Sequence, residues 1–138
     1  MFTILTSPLM AEEVLFHEGP EISVGVESLA GNKESERELI FRKQFFIDSE
    51  ALRKLPDTID AVTNPAIDAT RAIDAAKATV DLEQRNVFRV VRLDLLRSKT
   101  EIAVDFYLIE MVVNGSTEHR IVLMDGTVLS PRLKQKSN

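Results

Sequence analysis

The stretch NPAIDATRAIDAAKATVDLEQ, residues 64–84, predicts one long α-helix around which the rest of the chain is arranged. Asn64 is a favourable N-cap residue, and Pro65 suits the first helical position because the N–H that proline lacks has no partner there. Counting by the helical period places one stripe of small and apolar side chains toward the core: Ala66, Ala69, Ile73, Ala76 and Val80. Since this stripe is mostly alanine, a neighbouring element can approach the helix closely.

The helix has two candidate partners. Packing across a face of the protein's own sheet is the favoured interpretation, because both elements need to bury an apolar surface. Extending the register back to Ile59 and Val62 gives seven positions with coiled-coil-like spacing, the pattern for pairing with a second copy. Alanine at several of these positions makes a weak zipper, so the intramolecular arrangement is preferred.

The chain just before the long helix is broken by proline. Ser49 caps a short helical turn over residues 50–54, which Pro56 ends. Asp57 then begins a second turn over residues 58–63. These breaks allow the segment to follow the surface of a sheet.

Alternating apolar side chains predict strands on both sides of the helix. The predicted strands span residues 11–19, 21–28, 37–48, 87–97, 102–113, 119–124 and 127–130, with a turn at Gly19-Pro20. Residues 37–48 and 102–113 are apolar on both faces, and the second of these strands is expected at the centre of a sheet. Asn114-Gly115 predicts a tight hairpin, because both central positions of a type I′ turn favour positive φ. The strands after the helix are therefore expected to form an antiparallel meander.

This order of elements predicts an α+β protein, with a curved antiparallel sheet of about five to seven strands and the long helix packed across one face. The 138 residues fit a single domain, residues 1–138, that can bury a sizeable core. Residues 1–10 are interpreted as a loosely ordered leader or an edge strand, and residues 132–138 as a flexible, solvated tail.

The composition is that of an ordinary globular protein, with 44% hydrophobic and 28% charged residues. There is no cysteine, which excludes disulfides, thiolate metal ligands and a cysteine nucleophile and fits a reducing compartment such as the cytoplasm. The net charge of −5 argues against a general affinity for nucleic acid or anionic membranes. No segment reaches about 20 apolar residues, so no membrane span is expected.

The sequence contains two histidines, and each has a glutamate beside it: His17 with Glu18 and His119 with Glu118. If their strands were neighbours, the two pairs could form a metal or acid–base site. A histidine next to a turn is more often solvated or structural, so no metal site and no catalytic residue are assigned. The sequence has no HExxH, GxSxG, GxGxxG or P-loop motif, and no cofactor is expected.

Two carboxylates, Asp94 and Asp105, lie in otherwise apolar strands. A carboxylate that faces a core must be paired or stay protonated, and pairing with Arg89 or Arg92 is the favoured interpretation. The alternative is a ligand pocket between the helix and the curved sheet, with Asp94, Asp105 and Tyr107 as its polar groups.

Two classes of function follow. The first is a non-catalytic interaction or assembly protein that self-associates through a sheet face or edge, because one helix covers only part of a sheet that is apolar on both sides. This hypothesis predicts a homodimer, or binding to another protein. The alternative is a small-molecule-binding domain or small enzyme with its pocket between helix and sheet.

Overall fold

The computed structural model describes residues 12–28, 36–56 and 65–136, which form seven strands and two α-helices. The strands are β1 (Glu13–Ser28), β2 (Glu36–Asp48), β3 (Phe88–Arg97), β4 (Asp105–Val113), β5 (Ser116–Leu123), β6 (Val128–Leu129) and β7 (Arg132–Gln135). The helices are α1 (Ser49–Arg53) and α2 (Ala69–Lys77), and a 3₁₀ helix (Leu82–Val87) precedes β3. The protein is thus a mixed α+β protein, as predicted.

The strands form two antiparallel sheets. Sheet A has three strands in the order β1-β2-β7, and sheet B has four in the order β3-β4-β5-β6. Sheet B is the meander that was predicted after the helix, and β4 has a neighbouring strand on each side. The expectation of one curved sheet is wrong, because the chain divides its strands between two.

Sheet B lies between α2 and sheet A, and the alternation along β4 explains this arrangement. One face of β4 presents residues such as Tyr107 to α2, where Ala76 is fully buried. The other face presents Phe106 to sheet A, in a core cluster that includes Phe45 of β2. Because a helix can cover only one face of a sheet, the second apolar face of β4 requires a second layer. This requirement is the physical reason for two sheets instead of one.

The helix in the central stretch is much shorter than predicted. α2 has nine residues, and its N-cap is Asp68, whose carboxylate accepts a 2.8 Å hydrogen bond from the Arg71 N–H. Asn64, the predicted N-cap, lies outside the described residues. At the other end the Thr79 hydroxyl donates a 2.6 Å hydrogen bond to the Ala76 carbonyl, and the chain turns before entering the 3₁₀ helix. A later cap and an early turn therefore shorten the helix at both ends.

The buried face of α2 and of the turn that follows it agrees with the predicted stripe at Ala76 and Val80 but not at the N-terminal end of the helix. Ala72 and Ala76 are fully buried, whereas Ala66 and Ala69 are exposed. The first three residues of α2, from Ala69 to Arg71, are exposed, and the contact with sheet B begins at Ala72. Ala76 was predicted to make the close approach expected from alanine, and it does so together with Ala72 instead of Ala69.

Gly19 and Pro20 lie inside β1 and do not end the strand, contrary to the predicted turn. The pairing of β1 with β2 shifts register between Glu18 and Glu21, so the two residues form an irregularity within a continuous strand. β1 is at the edge of sheet A, where the missing N–H of proline is tolerated.

Strand β7 lies in the segment that was interpreted as a flexible tail, and it pairs with β2. The Arg132 guanidinium donates hydrogen bonds of 2.6 and 2.7 Å to the Glu13 carboxylate. It also lies 4.8 Å from the centroid of the Phe46 ring, which is a cation–π contact. Through Arg132, β7 thus contacts both its neighbour β2 and the more distant strand β1 of sheet A.

The outer face of sheet A is covered by charged side chains. Arg42 of β2 pairs with Glu18 and with Glu21, the latter at 3.2 Å, and Lys136 also lies 3.2 Å from Glu21. β2 was expected to carry apolar residues on both faces. Along its outward face the apolar Ile40 and Phe46 flank the polar Arg42 and Gln44, and Arg132 lies over the Phe46 ring.

Three predictions concern parts of the chain that the structure does not describe. They are the leader at residues 1–10, the helical turn at residues 58–63, and the coiled-coil positions Ile59 and Val62. In the ranges that the structure does describe, no helix has both the length and the apolar character needed to cross a membrane.

Candidate functional site

A cleft lies between the two sheets where the apolar contacts of β4 and β5 give way to polar ones. The inward pairs along this hairpin are Phe106 with Leu123, Leu108 with Ile121, and Glu110 with His119. The first two pairs pack in the core against sheet A, whereas a carboxylate and an imidazole cannot pack as closely. A cleft of about 480 Å³ lies at the Glu110–His119 pair, lined by residues of both sheets.

Both sheets contribute side chains to the cleft. Its apolar lining comprises Pro20, Ile22, Phe45, Leu108 and Leu133. Its polar lining comprises His17, Lys43, Glu110, Thr117 and His119. A cavity with mostly apolar walls and a few convergent polar groups is the usual form of a small-molecule site.

Three of the polar groups form a chain of contacts centred on an imidazole ring. The Lys43 Nζ lies 2.6 Å from Nδ1 of His119, and the Glu110 Oε1 lies 3.8 Å from Nε2 of the same ring. An ammonium group only donates hydrogen bonds, so Nδ1 accepts and the ring proton resides on Nε2. The lysine thereby selects one neutral tautomer of the imidazole, with its N–H on the side of the Glu110 carboxylate.

The environment favours the neutral form of His119. Burial lowers its pKa below the ordinary value of 6.5, and the positive charge of Lys43 lowers that pKa further. The Glu110 carboxylate acts in the opposite direction, and Arg120 adds to the lowering.

Burial is also the largest influence on Lys43, and it lowers the pKa of the ammonium group. The nearby Glu118 and Glu110 carboxylates oppose this and favour the charged form, while Arg120 acts with burial. Lys43 is thus a partly desolvated cation in an otherwise apolar cleft.

His17 lies at the inner end of the cleft against aromatic rings. Its ring centroid is 6.0 Å from that of Phe45 and 5.5 Å from that of Phe106. Burial lowers the pKa of His17, and the charge of Lys99 lowers it further. This imidazole is therefore a neutral polar group at the end of the cleft that meets the core.

The structure places the two histidines in one cleft, but the glutamates beside them point elsewhere. Glu18 pairs with Arg42 on the outer face of sheet A, and Glu118 pairs with Arg120 at 3.2 Å. The carboxylate near His119 is Glu110, which sequence analysis did not single out. Among the residues that the structure describes, no group of three or more His, Cys, Asp or Glu side chains could hold a metal ion.

The three residues predicted to line a pocket are engaged in other contacts. Asp94 pairs with Arg92 at 2.7 Å, and Asp105 lies 3.5 Å from Arg97 of the neighbouring strand. The Tyr107 hydroxyl donates a 2.8 Å hydrogen bond to the Ile67 carbonyl, and burial raises the pKa of this hydroxyl. None of the three lines the cleft between the sheets, and their assignment to a ligand pocket stays a prediction.

One part of the cleft was accessible from the sequence. A two-residue turn at Asn114-Gly115 fixes the register of β4 and β5, and counting back from that turn places Glu110 opposite His119. Lys43 and His17 carry no comparable signal, because they belong to the other sheet and no local pattern states how two sheets face each other.

No family model matches this chain, and no curated protein and no solved structure shows a significant similarity to it. The function must therefore be inferred from the cleft and its chemistry.

Proposed function

We propose that this protein binds a small, mainly apolar molecule in the cleft between its two sheets. The observation that carries the proposal is the cleft itself, whose volume of about 480 Å³ lies in the range of about 300–1,000 Å³ that is typical of small-molecule sites. Residues from five strands line it, so the site depends on the assembled fold and not on one loop.

The apolar walls supply the driving force for binding. Leu108 and Ile22 are only partly buried, and Leu133 is 62% exposed. A ligand that covers such surfaces removes apolar area from water, which is worth about 25 cal/mol per Å². The polar groups at one end would orient the ligand.

This site differs in position from the pocket expected between helix and sheet. On that side α2 packs closely, and Ala72 and Ala76 have no exposed surface. The cleft lies on the opposite face of sheet B, toward sheet A.

The test is binding of an uncharged fluorescent apolar probe, N-phenyl-1-naphthylamine, to the protein and to a cleft-filling variant. Leu108→Trp fills the cleft and is expected to abolish the saturable fluorescence increase. Leu82→Trp is the matched control, because Leu82 is 74% exposed and does not line the cleft. Saturable binding that is equal in both variants, or is not seen with the unmodified protein, would contradict the proposal.

Self-association is a second candidate, supported by exposed apolar side chains beside the free edge of sheet B. Leu82, Val87 and Val91 are 74%, 49% and 52% exposed, and among the described strands β3 pairs with β4 alone. Antiparallel pairing of two β3 strands about Leu93 would set Arg92 of each copy opposite Asp94 of the other. Both faces of β4 are covered by the chain's own residues, so the edge is the surface that supports a homodimer.

The edge also carries features that disfavour pairing. Val91 has no partner on β4, since the register shifts between Val90 and Arg92, and bulges and charges at edges oppose strand addition. Sedimentation equilibrium at micromolar concentration distinguishes a homodimer from a monomer. The homodimer predicts twice the chain mass for the unmodified protein and a single-chain mass for Val91→Lys, and a single-chain mass for both excludes it.

A further inference from the structure

We infer that the ligand of this cleft is a monocarboxylic acid with an apolar body, such as a medium-chain fatty acid, whose carboxylate is bound by Lys43. The inference rests on the proposed binding function and adds the chemical class of the ligand. It is carried by the contacts and charges that surround the lysine.

Among the residues that the structure describes, Lys43 has no anionic side chain within ion-pair distance. Within the described part of the chain its ammonium group has one hydrogen-bond contact, 2.6 Å to His119 Nδ1, and no carboxylate oxygen lies within 4.0 Å of that group. An ammonium group has three N–H donors, so two remain for a ligand. A partly buried charge without a partner is unfavourable, and a bound carboxylate would remove that penalty.

The nearest acidic side chains do not replace such a partner. The Glu118 carboxylate is paired with Arg120 at 3.2 Å. The Glu110 carboxylate faces the other nitrogen of the His119 ring, 3.8 Å from Nε2. Both are near enough to favour the charged form of Lys43, yet neither forms an ion pair with it.

The charged side chains near Lys43 also restrict the charge of the ligand. Arg120 balances the charge of Glu118. A phosphate dianion would therefore meet one unpaired cation, Lys43, and the Glu110 carboxylate, whose repulsion would offset part of the attraction. A single negative charge can pair with Lys43 and leave the rest of the site unchanged. The charges around the lysine therefore favour a monoanion.

The position of Lys43 also gives the orientation of the ligand. Lys43, His119 and Leu133 line both the cleft and a neighbouring hollow of about 300 Å³ that includes Glu118 and Arg120. The carboxylate would lie at this junction, where water can reach it. The hydrocarbon body would extend along the apolar walls toward Phe45 and Leu108. The carboxylate would then contact the cation, and the hydrocarbon chain would contact apolar side chains.

The experiment compares three ligands of equal chain length that differ in charge: decanoate, decanol and decylammonium. Each is titrated against the protein loaded with N-phenyl-1-naphthylamine, and displacement of the uncharged probe is measured. Hydrogen bonds to a charged group imply a preference of about tenfold or more for decanoate over decanol, and decylammonium should be the weakest competitor. Lys43→Met should remove the preference for decanoate while leaving decanol unchanged, and Lys43→Arg should restore it.

Lys134→Met is the matched control, because Lys134 lies on β7, is exposed and does not line the cleft. Equal displacement by all three ligands would overturn the inference while leaving the binding proposal intact. If the unmodified protein binds no probe, the binding proposal itself fails. The ligand series is measured on the unmodified protein, so the inference can be overturned even if Lys43→Met does not fold.

Discussion

The ammonium nitrogen of Lys43 lies 2.6 Å from Nδ1 of His119, although the two residues are 76 positions apart in the chain and belong to different sheets. This contact is a direct polar link between the facing surfaces of the sheets. It sets the tautomer of the imidazole and places a cation at one end of an apolar cleft. The contact has consequences that can be measured.

The first prediction concerns the pKa of His119. Burial and the charge of Lys43 both lower it, so NMR titration should give a value below the ordinary 6.5. Lys43→Met removes the second cause and should raise the pKa of His119 toward that value. His17 is the internal control, because burial and Lys99 account for its lowered pKa and Lys43 does not contribute. A His119 pKa that is unchanged by the substitution would contradict the Lys43–His119 contact.

The second prediction is a loss of stability in mild acid. Both histidines have lowered pKa values in the folded protein, so below about pH 6.5 the unfolded chain binds more protons than the folded protein. The free energy of unfolding therefore decreases as the pH is lowered. Urea denaturation between pH 7.5 and 5 should show this loss, and a variant with both histidines replaced by glutamine should not. Glu13 and Glu18 have pKa values lowered from 4.5, so their effect is confined to more acidic solutions.

The third prediction distinguishes the observed face of α2 from the stripe predicted by periodicity. Ala72 lies outside the predicted stripe and is fully buried against sheet B, so Ala72→Leu should overpack the contact and lower the free energy of unfolding by about 1–3 kcal/mol. Ala69→Leu is the matched substitution at an exposed position of the same helix and should change that free energy by less than about 0.5 kcal/mol. Urea denaturation measures both free energies. A larger loss for Ala69→Leu would support the predicted stripe instead of the observed face.

The fourth prediction concerns the turn that sets the register of the Glu110–His119 pair. Asn114 has φ 48° and Gly115 has φ 80°, as a type I′ turn requires. Gly115→Ala places a side chain on a left-handed residue and should lower the free energy of unfolding by about 1–2 kcal/mol. Gly19→Ala should have a smaller effect, because the added Cβ would lie at an ordinary distance of 3.6 Å from the Lys43 carbonyl oxygen. Equal losses would show that the turn conformation is not the cause.

The fifth prediction separates a structural role for Tyr107 from a role in ligand binding. Its hydroxyl donates to the Ile67 carbonyl at 2.8 Å, so Tyr107→Phe should lower the free energy of unfolding by about 1 kcal/mol. Tyr107 faces α2 and does not line the cleft. Under conditions in which the variant is fully folded, its affinity for the probe should therefore be unchanged. Loss of probe binding in a folded Tyr107→Phe variant would favour the pocket between helix and sheet.

Several features were readable from the sequence because they depend on near neighbours in the chain. The alternation after residue 86 predicted the meander of sheet B, and Asn114-Gly115 predicted the turn that joins β4 to β5. The apolar character of both faces of β4 predicted its central position. The predicted length of the helix, residues 64–84, was wrong. The observed N-cap is Asp68, four residues after the predicted Asn64, and the helical periodicity continues through both positions.

The sequence by itself determined the α+β class, the antiparallel meander and the pairing of Glu110 with His119, since turn chemistry and alternation act between residues close in the chain. Only the tertiary structure decided that a second sheet covers β4 and that Lys43 and His17 meet His119 across the space between the sheets. An alternating pattern shows which face of a strand is buried but not which surface covers it. That choice depends on how whole layers fit together, so the cleft and its chemistry emerge only when the two sheets pack.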